Sequence, residues 1–112
     1  MSTRSYSKGD VLLVRYPFTD LSGAKVRPAV VVGESHVSQD ILIVPLTSKT
    51  ASLLAGEFIL ADWEGTHLHV PSAVKRGIYT VHESLVARRV GKLSAADSQT
   101  LESSLRQWLG LP

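Results

Sequence analysis

The sequence predicts a mainly β fold, a small barrel or sandwich, with one helix at its C-terminal end. Short β-branched apolar runs recur along the chain, and Gly, Pro or polar turn signals separate them. After residue 94 the apolar residues change to a helical spacing. A chain of 112 residues, 44% of them apolar, is expected to fold as a single domain, residues 1–112, with its own core.

The first three predicted strands are the clearest. Residues 11–14 form a buried run, which Pro17 ends or places at an edge. Residues 29–32 and 41–44 are two apolar runs joined by a polar segment, which indicates an antiparallel hairpin. If Gly33 lies opposite Ile41, Arg27 falls opposite Thr47 on the same face, whereas a slip of one residue would separate them. Pro28 lacks an N–H and is expected at an edge or bulge.

The second half of the chain predicts three more strands and the helix. The strands are expected at residues 57–61, 78–81 and 85–90. A mobile loop is expected at 50–56, before the first of them, and Trp63, between the first and the second, is expected to be buried. Ser94 and Asp97 have the spacing of a helix N-cap. Gly110 ends the helix. Its predicted apolar stripe consists of Leu101, Leu105, Trp108 and Leu109.

Composition narrows the classes of function. The absence of cysteine excludes a disulfide framework and a thiolate metal site, and it suits a reducing cytoplasm. The formal charge of +2 permits an anionic partner without requiring one. The polar residues 1–8 do not resemble a signal peptide, and no apolar run has the length of a membrane span, so no membrane partner is expected.

The open end of the predicted hairpin carries the candidate site. Arg27 lies on one strand, and Thr47, Ser48 and Lys49 lie at the end of the other. A guanidinium beside hydroxyl groups can hold a phosphate, because both supply hydrogen-bond donors to its oxygens. The competing interpretation is a charged strand end with an ordinary β-forming threonine.

Histidines offer two alternative kinds of site. Asp62, Glu64, His67 and His69 are close enough in sequence to suggest a metal site, but their spacing is not that of a compact one, and no metal or cofactor is predicted. A ribonuclease mechanism with two histidines would require His36 and His82 to meet, and nothing in the sequence aligns them.

Five fragments together resemble the MazF/PemK-like toxins of type II toxin–antitoxin systems. They span nearly the whole chain in order: Gly9-Asp10-Val11, Tyr16-Pro17-Phe18-Thr19-Asp20, Arg27-Pro28-Ala29-Val30-Val31, Val44-Pro45-Leu46-Thr47-Ser48 and Gly91-Lys92-Leu93-Ser94. The resemblance implies an SH3-like barrel of the PemK/CcdB type with a C-terminal helix, assembled as a homodimer. It also implies a metal-independent endoribonuclease that cuts single-stranded RNA at short motifs and is inhibited by a cognate antitoxin.

The same resemblance assigns roles to residues. The family's catalytic arginine matches Arg27 and its catalytic threonine matches Thr47, with Ser48 as a possible supporting donor. The loop 19–24 lies beside this site in the sequence, and loops in such positions often bind substrate. The predicted substrate contacts are Phe18, Thr19, Asp20, Lys25, Lys49, Lys75 and Arg76, to which Arg88 and Arg89 could add a longer basic path.

Two alternatives stay open at this point. A CcdB-like toxin would share the barrel and the dimer but act without catalysis, by binding DNA gyrase through its extreme C-terminus, which Trp108-Leu109-Gly110 faintly resembles. The other is a toxin-like fold that has lost activity and only binds a partner. The CcdB-like alternative gives Arg27 and Thr47 no purpose, and the inactive module stays open.

Overall fold

The computed structural model describes residues 6–16, 25–34 and 36–112, with only the backbone of Tyr16 and Lys25. Seven strands and one α-helix form the fold. Their bounds are β1 Asp10–Tyr16, β2 Lys25–Val31, β3 Asp40–Thr47, β4 Phe58–Ile59, β5 Ala73–Val74, β6 Tyr79–His82, β7 Val86–Lys92 and α1 Ala95–Leu109. Short 3-10 helices occupy Glu64–Thr66 and Glu83–Leu85. The predicted mainly β fold with a C-terminal helix is confirmed.

All strand pairs in the described chain are antiparallel, and the strand order is β4-β5-β3-β2-β1-β7, with β6 also paired to β3. The sheet stays open, because β4 and β7 at the two ends of this order do not pair with each other within the described ranges. Strand β3 changes partner along its length. It pairs with β2 up to Pro45 and with β5 at Leu46 and Thr47.

The two faces of the sheet carry separate apolar clusters, because side chains alternate along each strand. The first cluster, on what is called here the front face, consists of Leu12, Val14, Ala29, Val31, Ile41, Ile43, Val81 and Val86. The second cluster, on the helix face, consists of Val11, Val30, Val44, Leu46, Leu60, Val74, Leu93 and Leu101. Trp63 packs against the second cluster but is only half-buried, so its predicted burial is partly right.

The hairpin has the predicted register. Ala29 pairs with Pro45 and Val31 with Ile43, and the Val32 N–H donates to the Leu42 carbonyl at 2.9 Å beyond the ladder. Pro28 was expected at an edge or bulge, and this is wrong on the side of β2 that faces β1, where Pro28 pairs with Leu13 inside the ladder. On its other side the β2–β3 ladder starts only at Ala29, so the missing N–H interrupts no bond there.

Helix α1 begins and ends where the sequence indicates. The Ser94 hydroxyl accepts the Asp97 N–H at 3.1 Å, and Gly110 ends the helix in the left-handed conformation with φ 68°. The predicted stripe is only partly right. Leu101 is buried, but Leu109 is 55% exposed, and the buried helix positions include Asp97 and Ser104.

Hydrogen bonds to backbone N–H groups explain why the Asp97 carboxylate occupies a buried helix position. Its two oxygens accept the backbone N–H groups of Ala61 and Asp62 at 2.9 and 3.0 Å. The carboxylate therefore joins the start of the helix to the segment after β4, and both of its oxygens are satisfied. No helix of the described chain is long and apolar enough to cross a membrane.

Candidate functional site

Arg27 and Thr47 lie where the β2–β3 ladder ends. The last pair of the ladder is Ala29 with Pro45, and each candidate lies two residues further along its own strand. Two residues restore the same side of a strand, so both belong to the front face. Arg27 also pairs with Val14, whose side chain is in the first cluster, which gives the same assignment independently. The register thus puts a guanidinium and a hydroxyl on one face of the sheet, each just beyond the last β2–β3 pair.

The two side chains differ from the rest of their face in exposure. Within the cluster Ala29 and Ile43 are fully buried, whereas Arg27 is exposed and Thr47 is half-buried. No carboxylate of the described residues lies within ion-pair distance of the Arg27 guanidinium. An exposed cation at the edge of an apolar surface can therefore receive an anionic group of a substrate without first breaking a described ion pair.

A hydrogen bond fixes the Thr47 hydroxyl. Its Oγ1 accepts the backbone N–H of Lys49 at 3.1 Å, across the turn that follows β3. The accepted bond occupies one lone pair and leaves the O–H free to donate. Ser48 and Lys49 are both exposed and follow the end of β3, so strand alternation no longer fixes the direction of their side chains.

Lys75 and Arg76, two predicted basic contacts, directly follow strand β5 and lie on different faces of the sheet. The Lys75 N–H donates to the Pro45 carbonyl at 2.9 Å, which continues the β3–β5 pairing by one residue. Pro45 belongs to the front face, so Lys75 lies on the same face as Arg27 and Thr47. Arg76 is one residue further and borders a groove beside Trp108 of α1, on the helix face.

Glu57 holds this turn and the preceding loop together. One carboxylate oxygen accepts the Leu54 N–H at 2.8 Å and the other accepts the Arg76 N–H at 2.9 Å. These two bonds, with the nearby positive charges of Lys75 and Arg76, hold the pKa of the Glu57 carboxyl below its ordinary value. The Glu57 carboxylate thus ties the backbone at Leu54 to the backbone at Arg76. No sequence pattern predicts this role for Glu57.

Other predicted contacts lie elsewhere. Phe18, Thr19 and Asp20, with the loop 19–24, are outside the described residues, and so is the side chain of Lys25. Arg89 and Lys92 face the buried Asp10 carboxylate, with each nitrogen 3.6 Å from its Oδ1. Those two cations therefore balance a buried charge at the start of β1. Arg89, which was predicted to extend a basic path for RNA, pairs with Asp10 in the structure.

Three of the four histidines bond to neighbouring polar groups. Among the described residues no group of three His, Asp or Glu side chains is placed to hold a metal ion. The His67 Nδ1 lies 2.8 Å from the Val90 carbonyl, and Asp62 accepts the Gly65 N–H at 3.0 Å. His36 and His82 each bond a serine two residues on in the chain, Ser38 and Ser84.

Comparison with known proteins gives a family. The model of the PemK-like, MazF-like toxins of type II toxin–antitoxin systems matches residues 7–109. None of the curated proteins compared with the chain matches it.

Solved structures share the fold at low sequence identity. A MazE–MazF crystal structure from Deinococcus radiodurans superposes with a TM-score of 0.79 at 16% identity, covering 97% of this chain and 100% of the other. An endoribonuclease in complex with its cognate antitoxin, from a mycobacterial species, has a TM-score of 0.74 at 18% identity, covering 98% of each chain. The toxin MazF-mt6 of Mycobacterium tuberculosis has 0.72 at 20% identity, covering 92% and 98%. These similarities show that the fold is shared over nearly the entire length.

Proposed function

Because the chain belongs to the PemK-like, MazF-like toxins of type II toxin–antitoxin systems, we propose that it is a metal-independent endoribonuclease that cuts single-stranded RNA. The observation that supports the proposal is the hairpin register, which puts Arg27 and Thr47 on the front face just beyond the last β2–β3 pair. Solved neighbours described as endoribonucleases support the reaction class.

The proposed reaction is attack of a ribose 2′-hydroxyl on the adjacent phosphorus. The P–O bond to the next 5′-oxygen breaks, which leaves a 2′,3′-cyclic phosphate and a 5′-hydroxyl. Negative charge builds on the non-bridging oxygens, and Arg27 neutralises it with paired N–H donors. The Thr47 O–H adds a further donor. Arginine side chains carry a positive charge in proteins, so we assign Arg27 to charge stabilisation and not to general-base catalysis.

Lys49 and Lys75 extend the site as phosphate contacts for the neighbouring nucleotides. Both side chains are exposed, and Lys75 shares the front face with Arg27 and Thr47. Arg76 would bind RNA that has passed over the turn after β5. Each such contact contributes affinity that weakens as the salt concentration rises, because phosphate binding releases counterions.

The proposed assembly is a cytoplasmic homodimer that a cognate antitoxin inhibits. Solved neighbours include complexes of a MazF chain or an endoribonuclease with its antitoxin. An acidic antitoxin tail would place carboxylates at Arg27 and exclude RNA from the same groove by competition. Antitoxin tail peptide in excess should therefore displace an uncleavable RNA from the toxin. Simultaneous binding of both with cleavage blocked would contradict competition.

The test of the reaction is cleavage of single-stranded RNA in EDTA, with the product ends identified by mass spectrometry. Wild type should yield cyclic phosphate ends, and Arg27→Ala and Thr47→Ala should each lose about a hundredfold or more of the rate. Arg106→Ala is the matched control, because Arg106 is an exposed arginine paired with Glu102 on α1. Activity that requires zinc and disappears in His67→Ala would refute the site. Inhibition of gyrase without RNA cleavage would favour the CcdB-like alternative.

A further inference from the structure

A second concave surface lies on the helix face, separate from Arg27 and Thr47. It is a groove of about 340 Å³ between the turn after β5 and the C-terminal half of α1. Its lining residues are Arg76, Gly77, Ile78, Trp108 and Leu109. Ile78 and Leu109 remain 38% and 55% exposed, Arg76 is exposed and Trp108 is half-buried, so the groove combines aliphatic side chains, an indole ring and a cation.

The indole ring of Trp108 is held in place. Its Nε1–H donates to the Ala55 carbonyl at 3.0 Å, and a side chain at Gly56 would collide with the ring. Gly56 has φ +85°, and its carbonyl accepts the Ser104 hydroxyl at 2.7 Å. A ring fixed before binding loses little conformational freedom when a flat group stacks on it.

Arg76 connects this groove to the front face. Its backbone N–H is fastened to Glu57, while its side chain is exposed. The preceding residue, Lys75, shares the front face with the proposed catalytic pair. Two successive cations therefore lie on the short turn that joins the two faces. An RNA strand that leaves the catalytic pair and crosses this turn would meet Lys75 on the front face and Arg76 at the groove, and each cation could bind one of its phosphates.

We infer that this groove binds one unpaired nucleotide of the substrate RNA, with the base stacked on Trp108 and its phosphate on Arg76. Ile78 and Leu109 border the base. Every base has a flat face, so stacking of this kind adds affinity and tolerates any sequence. The cation at the groove and its continuity with Lys75 favour RNA over an apolar peptide segment. The inference rests on the proposed function, since it takes RNA as the ligand.

Trp108 fluorescence tests the inference directly. The chain has two tryptophans, so Trp63→Phe leaves Trp108 as the sole indole. A labelled single-stranded RNA with 2′-methoxy groups, which cannot be cleaved, is titrated in EDTA while its anisotropy and the Trp108 emission are both recorded. We expect quenching of Trp108 with the same midpoint as the anisotropy change. The Arg27→Ala variant should lose cleavage yet keep this quenching.

Binding by variants gives the second measurement. Trp108→Ala should raise the Kd for the uncleavable RNA about tenfold, whereas Trp108→Phe, which keeps a ring for stacking, should retain most of the affinity. Arg76→Glu should weaken binding and lower the slope of log Kd against log salt by about one. Leu111→Ala is the control, because Leu111 is exposed beyond the end of α1 and outside the groove.

The outcomes separate this inference from the proposed function. RNA binding that leaves Trp108 emission unchanged, with normal Kd values for Trp108→Ala and Arg76→Glu, overturns the groove and leaves the catalytic pair intact. Quenching by an acidic antitoxin tail peptide but not by RNA also overturns it and assigns the groove to a protein partner. If wild type binds no RNA, both the groove and the proposed function fail.

Discussion

The two ends of the β2–β3 pair differ sharply although the same strands form both. At one end Val30 and Val31 pair with Val44 and Ile43, and all four side chains are buried, half on each face of the sheet. At the other end Arg27 is exposed and Thr47 is half-buried. The buried end fixes the register, because a slip of one residue would exchange the two apolar faces. The polar end inherits that register and with it the alignment of the proposed catalytic pair.

The largest expected effect comes from the buried end. Ile43 is fully buried in the first cluster, so Ile43→Ala should lower the free energy of unfolding by about 2–5 kcal/mol through lost burial and a cavity. Urea denaturation followed by circular dichroism measures it. At a urea concentration where the variant is still folded, activity per folded molecule should be near wild type. Unchanged stability would show that this end does not anchor the register.

The polar end should show the opposite pattern, with activity lost and stability kept. Arg27→Lys preserves a positive charge but replaces the planar fork by a compact ammonium, which cannot supply two parallel N–H donors. We expect a loss of rate on the order of a hundredfold, corresponding to about 3 kcal/mol of barrier, with an unchanged melting temperature. Arg106→Lys provides the control for a general effect of arginine replacement. Near-normal cleavage by Arg27→Lys would mean that charge alone suffices.

Asp97 tests how the helix face is held. Asparagine offers one acceptor oxygen where the carboxylate offers two, so Asp97→Asn leaves one of the Ala61 and Asp62 N–H groups opposed by another donor. The expected loss of stability is about 1–3 kcal/mol, with cleavage per folded molecule unchanged. Urea midpoints and initial rates measured on the same preparation check both. A variant as stable as wild type would show that these bonds add nothing net.

The burial of Asp97 also shows what could not be predicted from the sequence. The antiparallel hairpin was predictable from its two apolar runs, whereas its register entered as a condition, the alignment of Gly33 with Ile41. The helix ends were predictable from Ser94 and Gly110. The buried carboxylate was not, because its partners Ala61 and Asp62 are about 35 residues away in the chain and donate through their backbones.

The positions of the candidate site residues were predictable only in part. Arg27 and Thr47 follow from the register and from the family resemblance, whereas the separation of Lys75 from Arg76 depends on the pairing of β5. That strand is two residues long, too short to show an alternating pattern. The loop 50–56 was predicted to be mobile, but its last residues form hydrogen bonds with Glu57, Ser104 and Trp108. No local sequence pattern predicts these contacts.

The smallest expected effect concerns pH and the Glu57 carboxyl. Its pKa is lowered in the folded protein, chiefly by the N–H groups of Arg76 and Leu54, so ionised Glu57 stabilises the fold above the ordinary value of 4.5. That contribution is lost as the pH falls through the lowered pKa. Glu57→Gln should therefore be less stable than wild type at pH 6, and this deficit should be smaller at pH 3. Urea midpoints at both values measure the difference, and an equal deficit at both would contradict the assignment.

The central claim is that the exposed end of the hairpin holds the scissile phosphate. A crystal structure of the toxin with an RNA that carries a 2′-deoxy nucleotide at the cleavage position tests it most directly. The account predicts the scissile phosphate within hydrogen-bond distance, roughly 2.7–3.2 Å, of both the Arg27 guanidinium and the Thr47 hydroxyl. A scissile phosphate bound at the His67–His69 segment, with Arg27 in solvent, would contradict it.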